Sequence, residues 1–299
     1  MTRRDVLKLM LISSVLPALS KASNELRIGL ALGSGGAKGL AHLLMLEVFD
    51  ELGVVPHRIA GSSIGAVMGA LYASGMSGME IRKVIDKLTV SNGESFFDSL
   101  FTEEITRWFD FVELRLGEGG LADSSVFISY LGEITGCSDF SELKIPLKVV
   151  CTDFWSREQV VFDSGPLLPA VQASMAMPGL FEPVRHMGHV LVDGGLVNPV
   201  PFDLLHNSCD LVIAIDVLGV RTPEGDIGPG IFENSFNSFQ IMQSAIVREK
   251  IARQAPDIYI RPEIEDIRVL EFYKVEQIFL QAESAANQLR SMLSDKLKR

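Results

Sequence analysis

The sequence predicts an α/β protein built around a central, mostly parallel sheet. Three observations point there. Short apolar or β-branched runs alternate with stretches of helical periodicity from residue 26 onward. The first two strand–helix units follow so closely that parallel strands with right-handed crossovers are the natural solution. Both units turn through glycine-rich loops.

Leu26 to Leu32 is a short apolar run ending in glycines and reads as a buried strand. Ala37 to Leu52 places Leu40, Leu43, Leu44, Val48 and Leu52 at helical spacing and stops at Gly53. Arg58 to Ser62 reads as a second strand, entering a helix from Ile64 to about Ala73. From Val90 to Asp139 the pattern loosens, and Phe96, Phe97, Phe101, Trp108, Phe109 and Phe111 crowd together. They suit a helical cap, an apolar lid over a site, or both. Ile145 to Thr152 and Leu211 to Val217 are expected to join the sheet. Thr222 to Asn237, rich in Gly, Pro and Asn, reads as a loop, followed by helices over Ser238 to Gln254 and Glu271 to Leu297. The expected organisation is an N-terminal segment over 1–25, a catalytic core over 26–217, and a loop with helices over 218–299 packing on the same domain.

At 299 residues the chain can bury a sizeable core, and its net charge of -11 argues against a nucleic-acid partner. Cys137, Cys151 and Cys209 lack CxxC spacing and read as buried small apolar residues. No metal site and no cofactor are expected. At the N-terminus, Thr2-Arg3-Arg4-Asp5-Val6-Leu7-Lys8 precedes an apolar run from Leu9 to Leu19, then Ser20-Lys21-Ala22. That is a secretory pattern, too short to span a bilayer comfortably, and the paired arginines resemble a twin-arginine signal with Val6 in the usual phenylalanine position. It leaves two readings: export to the periplasm or cell envelope, or a cytoplasmic chain whose first helix rests on the domain or on a membrane face.

Four stretches carry chemistry. Gly61-Ser62-Ser63-Ile64-Gly65 is G-x-S-x-G between a strand and a helix, where a serine sits on a tight turn with its Oγ projecting. The bland alternative is a βα turn whose serine caps the helix. Gly33 to Gly39 also joins strand to helix, and its glycines let consecutive N–H groups face one concavity, suited to a phosphate or an oxyanion. Neither nucleotide-binding glycine pattern is present. Lys38 reads as a solvated or ion-paired residue steadying that loop, with a Ser–Lys pair as the alternative. Asp193-Gly194-Gly195 follows the apolar strand Val190-Leu191-Val192, so a turn presents the carboxylate. A base in the order Ser, Asp, His leaves only His206, expected near the end of a helix from about Pro201 with no loop to present it.

With Ala173-Ser174-Met175-Ala176-Met177-Pro178 as the fourth stretch, the ordered set resembles the patatin-like phospholipases, over about Arg27 to Val217. Asn198-Pro199-Val200-Pro201 is similar to the bacterial members. The resemblance implies a three-layer α/β/α fold with the nucleophile on a strand–turn–helix elbow, and lipid acyl hydrolysis with Ser63 as nucleophile, Asp193 as base and the N–H groups of Gly35 and Gly36 as the oxyanion hole. Gly33, Lys38, Gly39, Gly61, Gly65, Gly194 and Gly195 would support the motifs. It also implies a phospholipid or acyl-ester substrate and transient contact with a membrane surface; oligomeric state stays open. Ser34 stands where many members have glycine, and Lys38 where arginine is frequent. A Ser–Asp–His esterase using His206, or a non-catalytic lipid- or partner-binding protein of the same fold, are the alternatives.

Overall fold

The computed structural model describes residues 26–90, 124–220 and 231–298. The N-terminal export pattern and the aromatics from Phe96 to Phe111 lie outside them. Strands β1 (Ile28–Leu32), β2 (Arg58–Ser62), β3 (Leu147–Asp153), β7 (Leu211–Ile215) and β8 (Ile258–Ile260) run parallel, in the order β3-β2-β1-β7-β8. Three more are antiparallel to their neighbours: β4 (Gln159–Phe162) on β3, β6 (His189–Asp193) on β3, and β5 (Val184–His186) on β6. Among the described residues the helices are α1 (His42–Glu51), α2 (Ile64–Ala73), α3 (Gly78–Val90), α4 (Ser125–Thr135), α5 (Leu167–Ser174), α6 (Ile231–Arg253) and α7 (Val275–Leu297).

The inner strands are buried on both faces, and residue size differs between the faces. Leu30, Leu32, Ile59, Ile213 and Ile215 point into the larger core, beneath α1 to α5 and α7. Ala31, Ala60, Val212 and Ala214 point the other way, against Val200, Phe202, Leu205 and Val247. Small residues on that face let the turns around Asn198 to Cys209, and then α6, lie close to the sheet.

Several elements differ from the expected boundaries. The helix expected from Ala37 begins as a 3-10 turn over Gly36–Ala41 before becoming α1. Helix α6 begins at Ile231, so the expected loop over Thr222 to Asn237 is helical from there on. A helix from Pro201 does not form; Phe202–Leu204 is a single 3-10 turn. Strand β8, inside the C-terminal segment, pairs with β7 and extends the sheet.

The register around β3 decides where the site forms. Val150 pairs with Ser62 of β2 and with Val161 of β4, so β2 and β4 occupy opposite edges of β3. Cys151 pairs with Val160 of β4 and with Asp193 of β6, so β6 lies on the edge that β2 has just vacated. Strand β2 is parallel to β3 and β6 antiparallel. The carboxyl ends of β2 and β6 therefore meet head-on, bringing residues 63 and 193 together across 130 positions of sequence.

Candidate active site

Ser63 follows β2 and caps α2 with φ 56° and ψ -126°, an unfavourable region for a residue with a side chain. Two close approaches force the turn. A side chain at Gly61 would stand 2.4 Å from the Gly65 carbonyl oxygen, and one at Gly65 would stand 2.1 Å from that of Leu32. The first turn of α2 thus lies directly on the end of β1. The Ser63 N–H donates to Ser174 Oγ at 2.9 Å, and the Ser174 hydroxyl donates to the Val150 carbonyl at 2.6 Å. The buried Ser174, at the end of α5, pins the strained turn to β3.

Asp193 ends β6 and is held at every polar atom. Its N–H donates to the Ala176 carbonyl at 2.9 Å, and its carbonyl accepts from Thr152 Oγ1 at 2.8 Å. Oδ1 accepts from the Gly195 N–H at 2.7 Å, and Oδ2 accepts from Ser63 Oγ at 2.5 Å. Burial pushes the carboxyl up to about 6, against the hydrogen bonds from Ser63 and Gly195 that favour its charged form.

In the glycine-rich loop the flanking amides are spoken for. Gly33 N–H donates to Ile215, Ser34 to Pro199 and Ala37 to Val269, while among the described residues the N–H groups of Gly35 and Gly36 make no backbone hydrogen bond. Both glycines line the same cavity as Ser63 and Asp193. Gly36 has φ +57°, and a side chain there would meet the Val269 carbonyl oxygen at 2.4 Å. Beneath the loop, His42 is fully buried and its Nε2 donates to the Gly33 carbonyl at 2.8 Å. Burial lowers its pKa to about 4, so the ring is neutral near pH 7. Away from the polar end, the cavity is walled by Met68 and Leu71 of α2, Ile85 and Leu88 of α3, and Phe127 and Leu131 of α4. A polar corner with a serine, a carboxylate and two available amides thus opens onto an apolar slot, the arrangement that acyl transfer requires.

A family model described as Patatin-like phospholipase matches residues 30–206. The chain belongs to the patatin-like phospholipase family. Ser63 and Asp193 and their hydrogen-bond partners Ser174, Ala176, Thr152 and Gly195 fall within that stretch. An uncharacterized NTE family protein of Mycobacterium tuberculosis is 31% identical over 239 residues, covering 79% of this chain and 62% of that protein. The neuropathy target esterase of Drosophila melanogaster is 29% identical over 277 residues, 84% of this chain and 18% of its own length. The chain therefore spans less than two thirds of the curated relatives it matches. Among solved structures, VipD from Legionella pneumophila shows 14% identity and a TM-score of 0.46, covering 88% of this chain and 66% of that one.

Two of the alternatives do not hold: a solvated Lys38, and a Ser–Asp–His triad through His206. Lys38 is not solvated: it is 1% exposed, its Nζ lies 3.4 Å from the Ile267 carbonyl, and its stem passes Gly219. It anchors the loop to the C-terminal segment. His206 is not brought to the site: its ring stacks edge-on against Phe202, at 6.0 Å between centroids, and its Nε2 has no partner. The other histidine hydrogen bonds run from His42 to Gly33 and from His189 to Asp153, away from Ser63 and Asp193. Gly39 packs against the start of α2, where a side chain would meet Ile64 Cγ2 at 2.2 Å. Gly194 sits against the Val150 carbonyl at the β2–β6 junction. Ser174, Thr152 and His42 were not assigned roles by sequence reasoning. Only Ser174 lies in a motif that signals it. Among the described residues no cluster of His, Cys, Asp or Glu is arranged to hold a metal ion, and no helix is long and apolar enough to cross a membrane.

Proposed function

We propose that the protein is a serine acyl hydrolase that cleaves fatty acyl esters of phospholipids or related lipids through a Ser63–Asp193 dyad. The observation that carries this is the 2.5 Å hydrogen bond from Ser63 Oγ to Asp193 Oδ2 at the mouth of an apolar slot. In the first step the ionised Asp193 takes the Ser63 proton as Oγ attacks the ester carbonyl. The Gly35 and Gly36 N–H groups receive the oxyanion, and the departing alcohol carries away the proton from Asp193. Water, deprotonated by the same carboxylate, then attacks the acyl-serine, and the proton passes from Asp193 to Ser63 Oγ as the Oγ–acyl bond breaks and the fatty acid leaves. Apolar walls on α2, α3 and α4 suit the acyl chain.

The base must be ionised to accept a proton, so kcat/KM is expected to rise with pH through about 6, where burial places Asp193. The decisive test combines fatty-acid release from a phospholipid panel with labelling by a fluorophosphonate. Ser63→Ala should lose labelling and at least about a thousandfold in turnover, and Asp193→Ala should behave likewise. His206→Ala should stay within about twofold of wild type, because its ring is packed on Phe202. Undiminished turnover by folded Ser63→Ala would end this reading, and a large loss in His206→Ala would restore a triad.

A further inference from the structure

Outside the family-matched stretch, one buried polar side chain reaches the reacting corner. Gln243 lies on the inner face of α6, between Ile241 and Met242, which face solvent, and Val247, which is buried. Its Nε2 donates to the Gly195 carbonyl at 3.2 Å and to Ser34 Oγ at 3.4 Å. The Ser34 hydroxyl in turn donates to the Pro199 carbonyl at 3.3 Å, so each hydrogen has one direction to go. The crowding at Gly195 shows how closely these groups converge. A side chain there would stand 2.6 Å from Gln243 Nε2, 2.7 Å from Ser34 Oγ and 2.9 Å from Asp193 Oδ1.

We infer that Gln243 is a positioning residue: its carboxamide clamps the glycine-rich loop to the turn that holds Asp193. Ser34 directly precedes Gly35, and Gly195 donates its N–H to Asp193 Oδ1. One amide group, with a hydrogen for each side, therefore fixes the spacing between the amides at Gly35 and Gly36 and the carboxylate. A buried NH2 group holds two partners only where both stay in place, and loss of either leaves a polar atom unsatisfied. The serine at position 34 is what lets the loop take part, since glycine there would have no acceptor in its side chain. Catalysis depends on this spacing more steeply than binding does, because most of the apolar wall of the acyl slot comes from elements other than α6.

The inference rests on the Ser63–Asp193 reading, and the experiment separates the two. Steady-state hydrolysis of p-nitrophenyl butyrate is measured for wild type, Ser63→Ala, Gln243→Met, Ser34→Ala and the Gln243→Met/Ser34→Ala double variant, each checked for folding by circular dichroism. Gln243→Met is expected to lower kcat about tenfold or more with KM within about threefold. The double variant should lose little beyond the worse single one, since both remove the same contact. Gln243→Glu places a second negative charge beside Asp193, so the acid limb of its kcat/KM profile should move to higher pH. A folded Gln243→Met with kcat within twofold of wild type, or losses that multiply in the double variant, overturns the clamp. Should Gln243→Met not fold, an acid limb for Gln243→Glu at the wild-type position overturns it instead. If Ser63→Ala hydrolyses the ester as fast as wild type, the dyad itself falls, and the clamp with it.

Discussion

At the scale of single residues, the site sets two buried groups against each other. Asp193 holds its proton to about 6 in the folded chain, where an unburied aspartate releases it near 3.8. The contribution of this carboxyl to stability is intact below about pH 4, declines as pH rises through about 6, and amounts to roughly 3 kcal/mol lost above that. His42 runs the other way. Its folded value is about 4 against 6.5 unfolded, so stability falls as pH drops from 6.5 toward 4, also by roughly 3 kcal/mol. Wild type should therefore change little in stability across that window on account of these two groups. Asp193→Asn keeps the shape and the acceptor for Gly195 while removing the ionisation. Urea melts should show it more stable than wild type by up to about 3 kcal/mol at pH 8, with the advantage gone near pH 4. Equal stability at pH 8 would mean that the buried carboxylate costs the fold nothing.

At the scale of elements, the elbow depends on contact between backbones, and glycines on one helix can tell that contact apart from ordinary packing. Gly65 and Gly69 lie one turn apart on α2. A side chain at Gly65 would meet the Leu32 carbonyl oxygen at 2.1 Å, whereas one at Gly69 would meet the end of the Leu147 side chain at 3.1 Å. Gly65→Ala should cost about 3 kcal/mol or more, or abolish soluble expression. Gly69→Ala should stay within about 1 kcal/mol, its crowding offset by better helix propensity. Thermal melts of the two variants side by side decide the matter, and similar losses would contradict the backbone contact between the first turn of α2 and the end of β1. This junction was legible in the sequence because its signals are local: β2 and α2 form over the residues that the apolar run and G-x-S-x-G indicate. Ser63, Asp193, Gly35 and Gly36 could be singled out for the same reason, each lying in a short glycine-marked motif, with their proposed roles coming from the patatin-like resemblance. Strands β4, β5 and β8 were not, being three or four residues long and formed by pairing with a neighbour already in place. The early start of α6 was hidden by its Asn and Ser residues, which read locally as loop. Helix α6 is instead held by tertiary contacts, from Gln243 to the loop and from Lys250 to Asn198, Asp203 and the Val200 carbonyl. Gln243 itself carried no signal, being a polar helix residue 48 positions from the glycine it binds.

At the scale of the whole molecule, the family-matched stretch contains Ser63 and Asp193, while part of what holds the glycine-rich loop beside them lies beyond it. The match ends at residue 206, yet the Gly33 N–H is received by Ile215, the Ala37 N–H by Val269, and the Lys38 ammonium by Ile267. Strand β8 covers the edge of β7, and α7 lays Ile278, Ala282, Leu289 and Leu293 into the main core. The cavity also needs Val269 and Leu270 as part of its wall. A chain stopped after Val217 keeps every motif residue while exposing a sheet edge and the apolar surface that α7 covers. Both are routes to aggregation. Residues 26–217 alone are therefore expected to aggregate or to form a loosely packed state without a cooperative melt, and to hydrolyse acyl esters at under about a hundredth of the rate of the full chain. Size-exclusion chromatography, a circular-dichroism melt and p-nitrophenyl butyrate hydrolysis on both lengths test this. A monomeric, cooperatively melting fragment with turnover within tenfold of the full chain would show that the loop holds its shape without those carbonyls, and that the C-terminal segment only shields a site complete without it.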